Sequence, residues 1–353
     1  EYPAGNFWEA VQATYIYHLT LCYEGQLHGL TFGRFDQYTG KYLEKDLAEG
    51  KITLDRAQEI VDCFFLKISE AVVTKTTAAA INSGGYSSGQ HMSLGGVKPD
   101  GTGATNDVSY LMLNAIARLD LHEPPLSLRI HKNTPDRLWE AAIECTKRVG
   151  GIPTLQNDEI IIPTLLERGF TIEDARDYCI IGCVEPAGAG NDFPCCGGLG
   201  RATYLNMGNI ITMLINNGVN KLTGEDTGFG TGYLYDYENF DQLMEAYKKH
   251  VAHYVRWHVS MSNLFWLMYR EMMPIPALSA TMTGCMESGK DVMYGGAKYN
   301  SSGSSGVGCA NVADSLAVIK YMCYDHDYCT TRELYDAVMA DWEGYEPLRQ
   351  KIL

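Results

Sequence analysis

No apolar run in this sequence approaches the roughly 18 residues that a membrane-spanning helix requires. The longest, residues 179–184 (CIIGCV) and 209–215 (NIITMLI), are far too short. The opening EYPAGNFWEA has neither the basic start nor the apolar stretch of a secretory signal. It also lacks a methionine, and the chain stops at QKIL directly after a helical pattern, which suggests an excerpt from a longer protein. Positive charge is scarce: 28 Lys and Arg against 43 Asp and Glu leave a net charge of −15. Such a surface repels nucleic-acid phosphates and anionic lipids, so no nucleic acid and no membrane are expected as partners. Low-complexity tracts, charge blocks and fixed-period repeats are missing too, and no linker composition marks a boundary, which favours one continuous domain.

What is present is an ordinary globular balance of 46% hydrophobic and 20% charged residues over 353 positions, incompatible with disorder, collagen-like repeats or a coiled coil. Eleven cysteines, an odd number without a secretory signal, fit a reducing cytoplasm better than a disulfide framework. Helical spacing recurs. From Thr53, a cap, residues Ala57, Ile60, Val61, Phe64, Ile68, Ala71 and Val72 form one apolar stripe. From Thr105, Val108, Leu111, Met112, Ala115, Ile116 and Leu119 form another. Thr134 opens a third helix, with Pro135 at its first position and Gly150 as its stop. Thr171 begins a short helix with Glu173 and Asp174 in the first turn. Residues 239–273 read as one or two long helices, Ala310–Tyr324 resumes the spacing, and Thr330 with Glu333 forms a capping box for the last helix. Between them, CIIGCVEP (179–186) suits a strand buried on both faces. Helices alternating with short apolar strands indicate an α/β fold.

GCVEP, residues 182–186, sets a thiol and a carboxylate two positions apart, at Cys183 and Glu185. In extended backbone these face the same way, so both can address one small substrate. The bland account of an arbitrary C-x-E is a structural Cys beside a solvated Glu. A Cys–His nucleophile is the conventional alternative, which nine histidines keep open, although no protease signature surrounds any cysteine. GCMESGKD (284–291) comes near a phosphate-binding loop but has Asp291 where a Ser or Thr must hold magnesium; a helix-ending glycine with a solvated Lys290 accounts for it better. GAG (188–190) has Phe193 where a dinucleotide fingerprint needs its third glycine. Cys179 and Cys183 have the spacing of two radical-SAM cluster ligands, but residue 186 is Pro. His250, His253 and His258 spread over a broad helical arc, the mark of an ordinary amphipathic face and not of zinc. The neighbours Cys195 and Cys196 cannot easily form a strain-free bridge. No metal site is expected.

Six segments in series resemble the glycyl radical enzymes: FGRFDQY (32–38), HMSLGG with TNDVSYLML (91–96, 105–113), GIPTLQND (151–158), GCVEP (182–186), GGAKYN (295–300) and GVGCANVADSLAVIK (306–320). That resemblance spans nearly the whole chain. It implies part of a ten-stranded α/β barrel of the glycyl radical enzyme type, with the Cys-bearing loop inside the barrel. Residues 1–353 would be the central portion of one pyruvate formate-lyase-like barrel domain, without the N-terminal helical region and without the C-terminal radical loop, whose R-V-x-G-Y-like segment is not found here. A thiyl radical at the matching Cys183 would abstract hydrogen from a substrate carbon, and Glu185 would deprotonate the adjoining hydroxyl so that water, an amine or sulfite leaves the neighbouring carbon.

Pyruvate formate-lyase carries two adjacent Cys in this loop, whereas Gly182 precedes Cys183 here, which favours the eliminase branch: a dehydratase or a carbon–nitrogen or carbon–sulfur lyase. A simple diol fits poorly unless Asp192 supplies the acidic residue of the second half of the loop. Phe35, Tyr86, Gln90 and Asp192 are the expected substrate-binding residues, and Asn311 and Asp314 the expected caps of the ANVADSL helix. The resemblance further implies no bound cofactor, a glycyl radical outside this segment, a separate radical-SAM activating enzyme as partner, a small polar organic substrate and a homodimer in the full-length form. It also implies a cytoplasmic location, a bacterial microcompartment being one variant. The alternatives are a non-catalytic barrel subunit that binds a metabolite or partner, and a pyruvate formate-lyase-type acyltransferase.

Overall fold

In the computed structural model, three short strands, each four or five residues long, run parallel and are joined by helices. The structure describes residues 2–25, 29–70, 77, 81, 89–121, 123–193, 204–300, 303 and 305–353. By its contacts the chain divides into two compact units, residues 1–202 with 266–303 and residues 203–265 with 304–353.

The first unit opens with three helices, α1 (Phe7–Gly25), α2 (Phe35–Ala48) and α3 (Leu54–Ser69). Thr53 caps α3 as expected, its hydroxyl accepting from the Arg56 amide at 3.2 Å. The stripe Ala57, Ile60, Val61, Phe64 and Ile68 is buried, while Ala71 and Val72 lie outside the described residues. Strands β1 (Met92–Gly95), β2 (Leu126–Ile130) and β3 (Thr154–Asn157) form the parallel sheet in that order, with Met92 opposite Leu126 and Leu128 opposite Leu155. Every residue of β1 is buried, as a parallel strand covered on both faces requires.

The crossover helices are α4 (Asp107–Leu119) and α5 (Asp136–Val149). The cap of α4 is Asn106, one residue beyond the expected Thr105, because Asn106 and Ser109 satisfy each other's backbone amides in a capping box. Pro135 and not Thr134 is the cap of α5, so the helix starts one residue later than expected, and Gly150 ends it with φ +65°. The core between sheet and helices is built from Val61, Phe65, Leu94, Met112, Ile116 and Leu128. After β3 come α6 (Asp158–Glu167) and α7 (Ile172–Arg176), the latter capped by Thr171 as expected. The antiparallel hairpin β4 (Tyr178–Ile181) and β5 (Glu185–Gly188) follows. The strand expected over 179–186 therefore stops at Ile181, where Gly182 takes φ +53° and turns the chain back.

The second unit holds a parallel pair, β6 (Tyr204–Asn206) and β7 (Ser305–Val307), with α8 (Met207–Ile215) between them in sequence. A single 33-residue helix, α9 (Phe240–Met272), occupies the stretch read as one or two helices; it begins in the second unit and ends in the first. Short helices α10 (Pro276–Ser279) and α11 (Cys285–Ser288) return to the first unit. In the second unit α12 (Cys309–Ile319) continues into a wider π turn over Lys320–Asp325. Gly308 is the cap of α12, so Asn311 and Asp314 lie within the helix and do not cap it. Thr330 caps α13 (Thr331–Met339), and one further helix, α14 (Glu346–Ile352), follows. Leu214, Leu243, Leu316 and Leu334 centre this unit's core. Among the described residues no helix is long and apolar enough to cross a membrane.

Candidate active site

The β4–β5 hairpin is held at its base by a buried charge. Arg129 on β2, fully buried, donates from Nε and Nη2 to the two carboxylate oxygens of Asp158 at 2.9 Å each. Its Nη1 reaches the Tyr178 carbonyl at 2.9 Å and its Nη2 the Arg176 carbonyl at 2.8 Å. The Tyr178 hydroxyl donates to Asp158 at 2.8 Å, and the guanidinium lies 3.8 Å from the Tyr178 ring centre. A guanidinium without water must have its donors met in this way, and here meeting them ties β2, α6 and β4 together. Arg34 adds a second tie, to Asp177 at 2.6 Å and to the Gly95 carbonyl at 3.0 Å. Further along, the Ile180 amide donates to Ser93 Oγ at 2.8 Å.

At the tip, Cys183 and Glu185 are brought together by a turn and not by strand alternation. Glu185 Oε2 accepts the Cys183 amide at 2.8 Å and the Val184 amide at 2.9 Å, so the carboxylate folds over the turn that carries the thiol. Glycine is favoured at 182: φ is positive, and a Cβ there would sit 3.0 Å from Glu185 Oε2. The Cys183 thiol is exposed at the tip. Desolvation first, then the nearby Glu185 carboxylate, raise its pKa, so sulfur keeps its hydrogen at neutral pH. That state suits hydrogen-atom exchange and is the wrong one for a thiolate nucleophile.

The hairpin also forms part of the wall of a cavity of about 600 Å³, lined among others by Phe32, Arg34, Tyr38, Cys179, Ile181 and Asp192. Cys183 and Glu185 do not line it. Of the expected substrate-binding residues, Asp192 lies on this wall, where its Oδ2 is 3.5 Å from the Gly188 amide. Phe35 does not: as the first residue of α2 it turns into the core and stacks on Phe64 at 5.0 Å, leaving Phe32, Arg34 and Tyr38 to face the cavity. Gln90 is buried, with its amide 3.7 Å from Cys22 Sγ, and Tyr86 lies outside the described residues, as do Cys195 and Cys196.

Sequence reasoning did not single out Arg129, Asp158 or His91, although His91 stands in the HMSLGG segment; its ring contacts the Gly182 carbonyl. The near-Walker segment resolves as expected, with Gly289 ending α11 at φ +62° and Lys290 exposed. Asp291 there accepts from the Ile275 amide and the Ser279 hydroxyl at 3.0 and 2.7 Å, which commits it to structure. His250 lies 3.0 Å from the Thr231 hydroxyl and His253 stacks on Phe229. Among the described residues no three His, Cys, Asp or Glu side chains come together as metal ligands.

The sequence model of the pyruvate formate lyase-like family matches residues 1–353. (2S)-3-Sulfopropanediol dehydratase of Klebsiella oxytoca is 34% identical over 345 residues, covering 97% of this chain and 41% of that protein. Isethionate sulfite-lyase of Desulfovibrio desulfuricans is 32% identical over 362 residues, covering 98% of this chain and 42% of that protein. Among solved structures, the glycerol-bound B12-independent glycerol dehydratase from Clostridium butyricum superposes with a TM-score of 0.90 at 35% identity, covering 98% of this chain and 43% of that one. The chain thus spans about two fifths of the length of the relatives it matches. With its whole length matched and a Gly-Cys-Val-Glu-Pro hairpin in place, the chain belongs to the pyruvate formate-lyase-like family of glycyl radical enzymes.

Proposed function

We propose that this chain carries the catalytic hairpin of a glycyl radical eliminase, with Cys183 as hydrogen-atom carrier and Glu185 as general base. The observation that carries this reading is the turn itself: a thiol at an exposed tip, with a carboxylate two residues on folded against the Cys183 and Val184 amides. A glycyl radical on a glycine outside these residues, installed by a separate radical-SAM activase, supplies the one-electron chemistry.

On this chain, Cys183 would give up its thiol hydrogen atom to that glycyl radical and then take one from a substrate carbon that bears a hydroxyl; the S–H bond re-forms as the C–H bond breaks. Glu185 Oε2 is engaged by the turn, which leaves Oε1 to accept the hydroxyl proton. The added electron density on that carbon expels the leaving group from its neighbour with the electrons of the broken bond. Cys183 then returns its hydrogen atom to the product radical. Relatives named for loss of water or of sulfite support a small polar substrate of this kind. By the same reading, residues 1–353 are the central portion of a larger barrel domain that works in the cytoplasm as a homodimer.

The test is to express the full-length gene product, activate it anaerobically and assay glycerol, (2S)-3-sulfopropanediol and isethionate for loss of water or sulfite. Turnover that disappears in Cys183→Ala supports the reading; measurable turnover in that variant overturns it.

A further inference from the structure

His91 immediately precedes β1 and is fully buried. Its Nδ1 lies 3.2 Å from the Gly182 carbonyl oxygen and its Nε2 lies 2.7 Å from Ser127 Oγ. A carbonyl can only accept, so Nδ1 carries the proton. Burial pushes the imidazole down to a pKa of about 4, so at neutral pH it has one N–H, and Nε2 must accept from the Ser127 hydroxyl. With that proton committed, Ser127 Oγ accepts from Thr154 Oγ1, 2.6 Å away; the other acceptor near Thr154, the Leu126 carbonyl, is at 3.4 Å. One directed chain therefore runs Thr154 to Ser127 to His91 to Gly182, from β3 through β2 to the peptide that precedes Cys183.

Two glycines close on Gly182 itself. The Gly182 amide donates to the Gly29 carbonyl at 3.3 Å. A Cβ added at Gly29 would fall 3.3 Å from Gly182 Cα, and one at Gly89 would fall 3.4 Å from the Gly182 carbonyl oxygen. Gly182 is thus gripped from both sides, and among the described residues the side chain that donates to its carbonyl is His91.

We propose that His91 is a positioning residue for Cys183: its Nδ1–H, fixed in that tautomer by Ser127 and Thr154, pins the Gly182 carbonyl and so sets where the thiol sits. The inference rests on the eliminase reading for its catalytic consequence and on the hydrogen-bond chain for its geometry. A reacting atom displaced by about 1 Å loses about 100-fold in rate.

The test compares His91→Ala, His91→Asn and Ser127→Ala in the full-length protein. Asn keeps an N–H donor near the place of Nδ1; Ser127→Ala leaves the ring but frees its tautomer. In the unactivated protein, hydrogen exchange read by mass spectrometry over residues 178–188 is expected to accelerate about tenfold at Gly182, Cys183 and Val184 in His91→Ala, with β2 and β3 still protected. His91→Asn should stay within about threefold of the parent and Ser127→Ala fall between. After anaerobic activation, His91→Ala should give the parental yield of glycyl radical by electron paramagnetic resonance but a kcat about 100-fold lower on whichever of glycerol, (2S)-3-sulfopropanediol or isethionate the parent turns over.

Unchanged exchange in His91→Ala overturns the proposal. Exchange that accelerates throughout the unit in both His91 variants also overturns it, since His91 then merely packs. If Cys183→Ala is inactive while His91→Ala keeps its kcat within about threefold, positioning fails and the eliminase reading stands. If Cys183→Ala is active but the exchange results hold, the eliminase reading fails and the structural role of His91 stands.

Discussion

Two turns in the first unit carry the same pattern, Gly-Cys-x-Glu, at residues 182–185 and 284–287. In both the glycine has positive φ, +53° and +100°, and in both the glutamate folds back onto turn amides: Glu185 onto Cys183 and Val184, Glu287 onto Gly284 at 2.9 Å. They part company at sulfur. Gly182 closes a hairpin and leaves Cys183 at an exposed tip, whereas Gly284 opens a helical turn that sends Cys285 into a core with Ile275, Val292 and Met293. Four residues suffice to place a carboxylate over a turn; whether the thiol can meet another molecule is decided by the elements on either side. By the proposed reading the pattern is a site in one place, and it is packing in the other.

The largest expected difference between the turns is in turnover. Cys183→Ala should abolish activity in the activated full-length protein, while Cys285→Ala should keep it and lose about 1 kcal/mol of stability in a urea titration. Equal loss of activity in both would end the distinction. Next comes the base: Glu185→Gln retains an oxygen acceptor for the turn but not the proton sink, so kcat should drop about 10²- to 10⁴-fold, against a parental kcat for Glu287→Gln.

The anchors differ as well. Asp158→Asn strips the partner from a buried guanidinium and should cost about 3–5 kcal/mol. Asp291→Asn, at the second turn, faces neutral donors and should cost about 1 kcal/mol by the same denaturant midpoint measurement. The smallest effect is chemical. Because the Glu185 carboxylate helps hold the Cys183 pKa up, Glu185→Gln should lower it and speed iodoacetamide labelling of Cys183 at pH 8 by about two- to threefold. Cys285, where burial and then Asp291 act ahead of Glu287, should respond less to Glu287→Gln in the same mass-spectrometric assay.

Much of this was legible in the residues. The stripes from Ala57 to Ile68 and from Val108 to Ile116 gave their helices because a buried face repeats with the helical period. The caps Thr53, Thr171 and Thr330 were readable because their hydroxyls act within three residues of themselves. The thiol–carboxylate pair was legible too, but for an incomplete reason: spacing of two suggested strand alternation, and the structure joins the groups through a turn at Gly182. What stayed hidden depends on distance along the chain. Arg129 finds Asp158 and Tyr178 at separations of 29 and 49 residues, and His91 meets Gly182 across 91 residues. No local period encodes such meetings. The two units were equally unreadable, since each is assembled from separated stretches and no linker marks where one gives way to the other.

Arg129 has a consequence for how this region comes apart. Its four hydrogen bonds run to Asp158, Arg176 and Tyr178, so no one segment can satisfy it. Were residues 176–178 to detach while β2 stayed in the sheet, a charge would remain in apolar surroundings with half its partners gone, at a cost of several kcal/mol. Partial opening is thereby penalised from within. The guanidinium couples the sheet to the hairpin so that both hold or both release in one cooperative step, and the tip that carries Cys183 inherits the stability of the core beneath it rather than that of a surface loop.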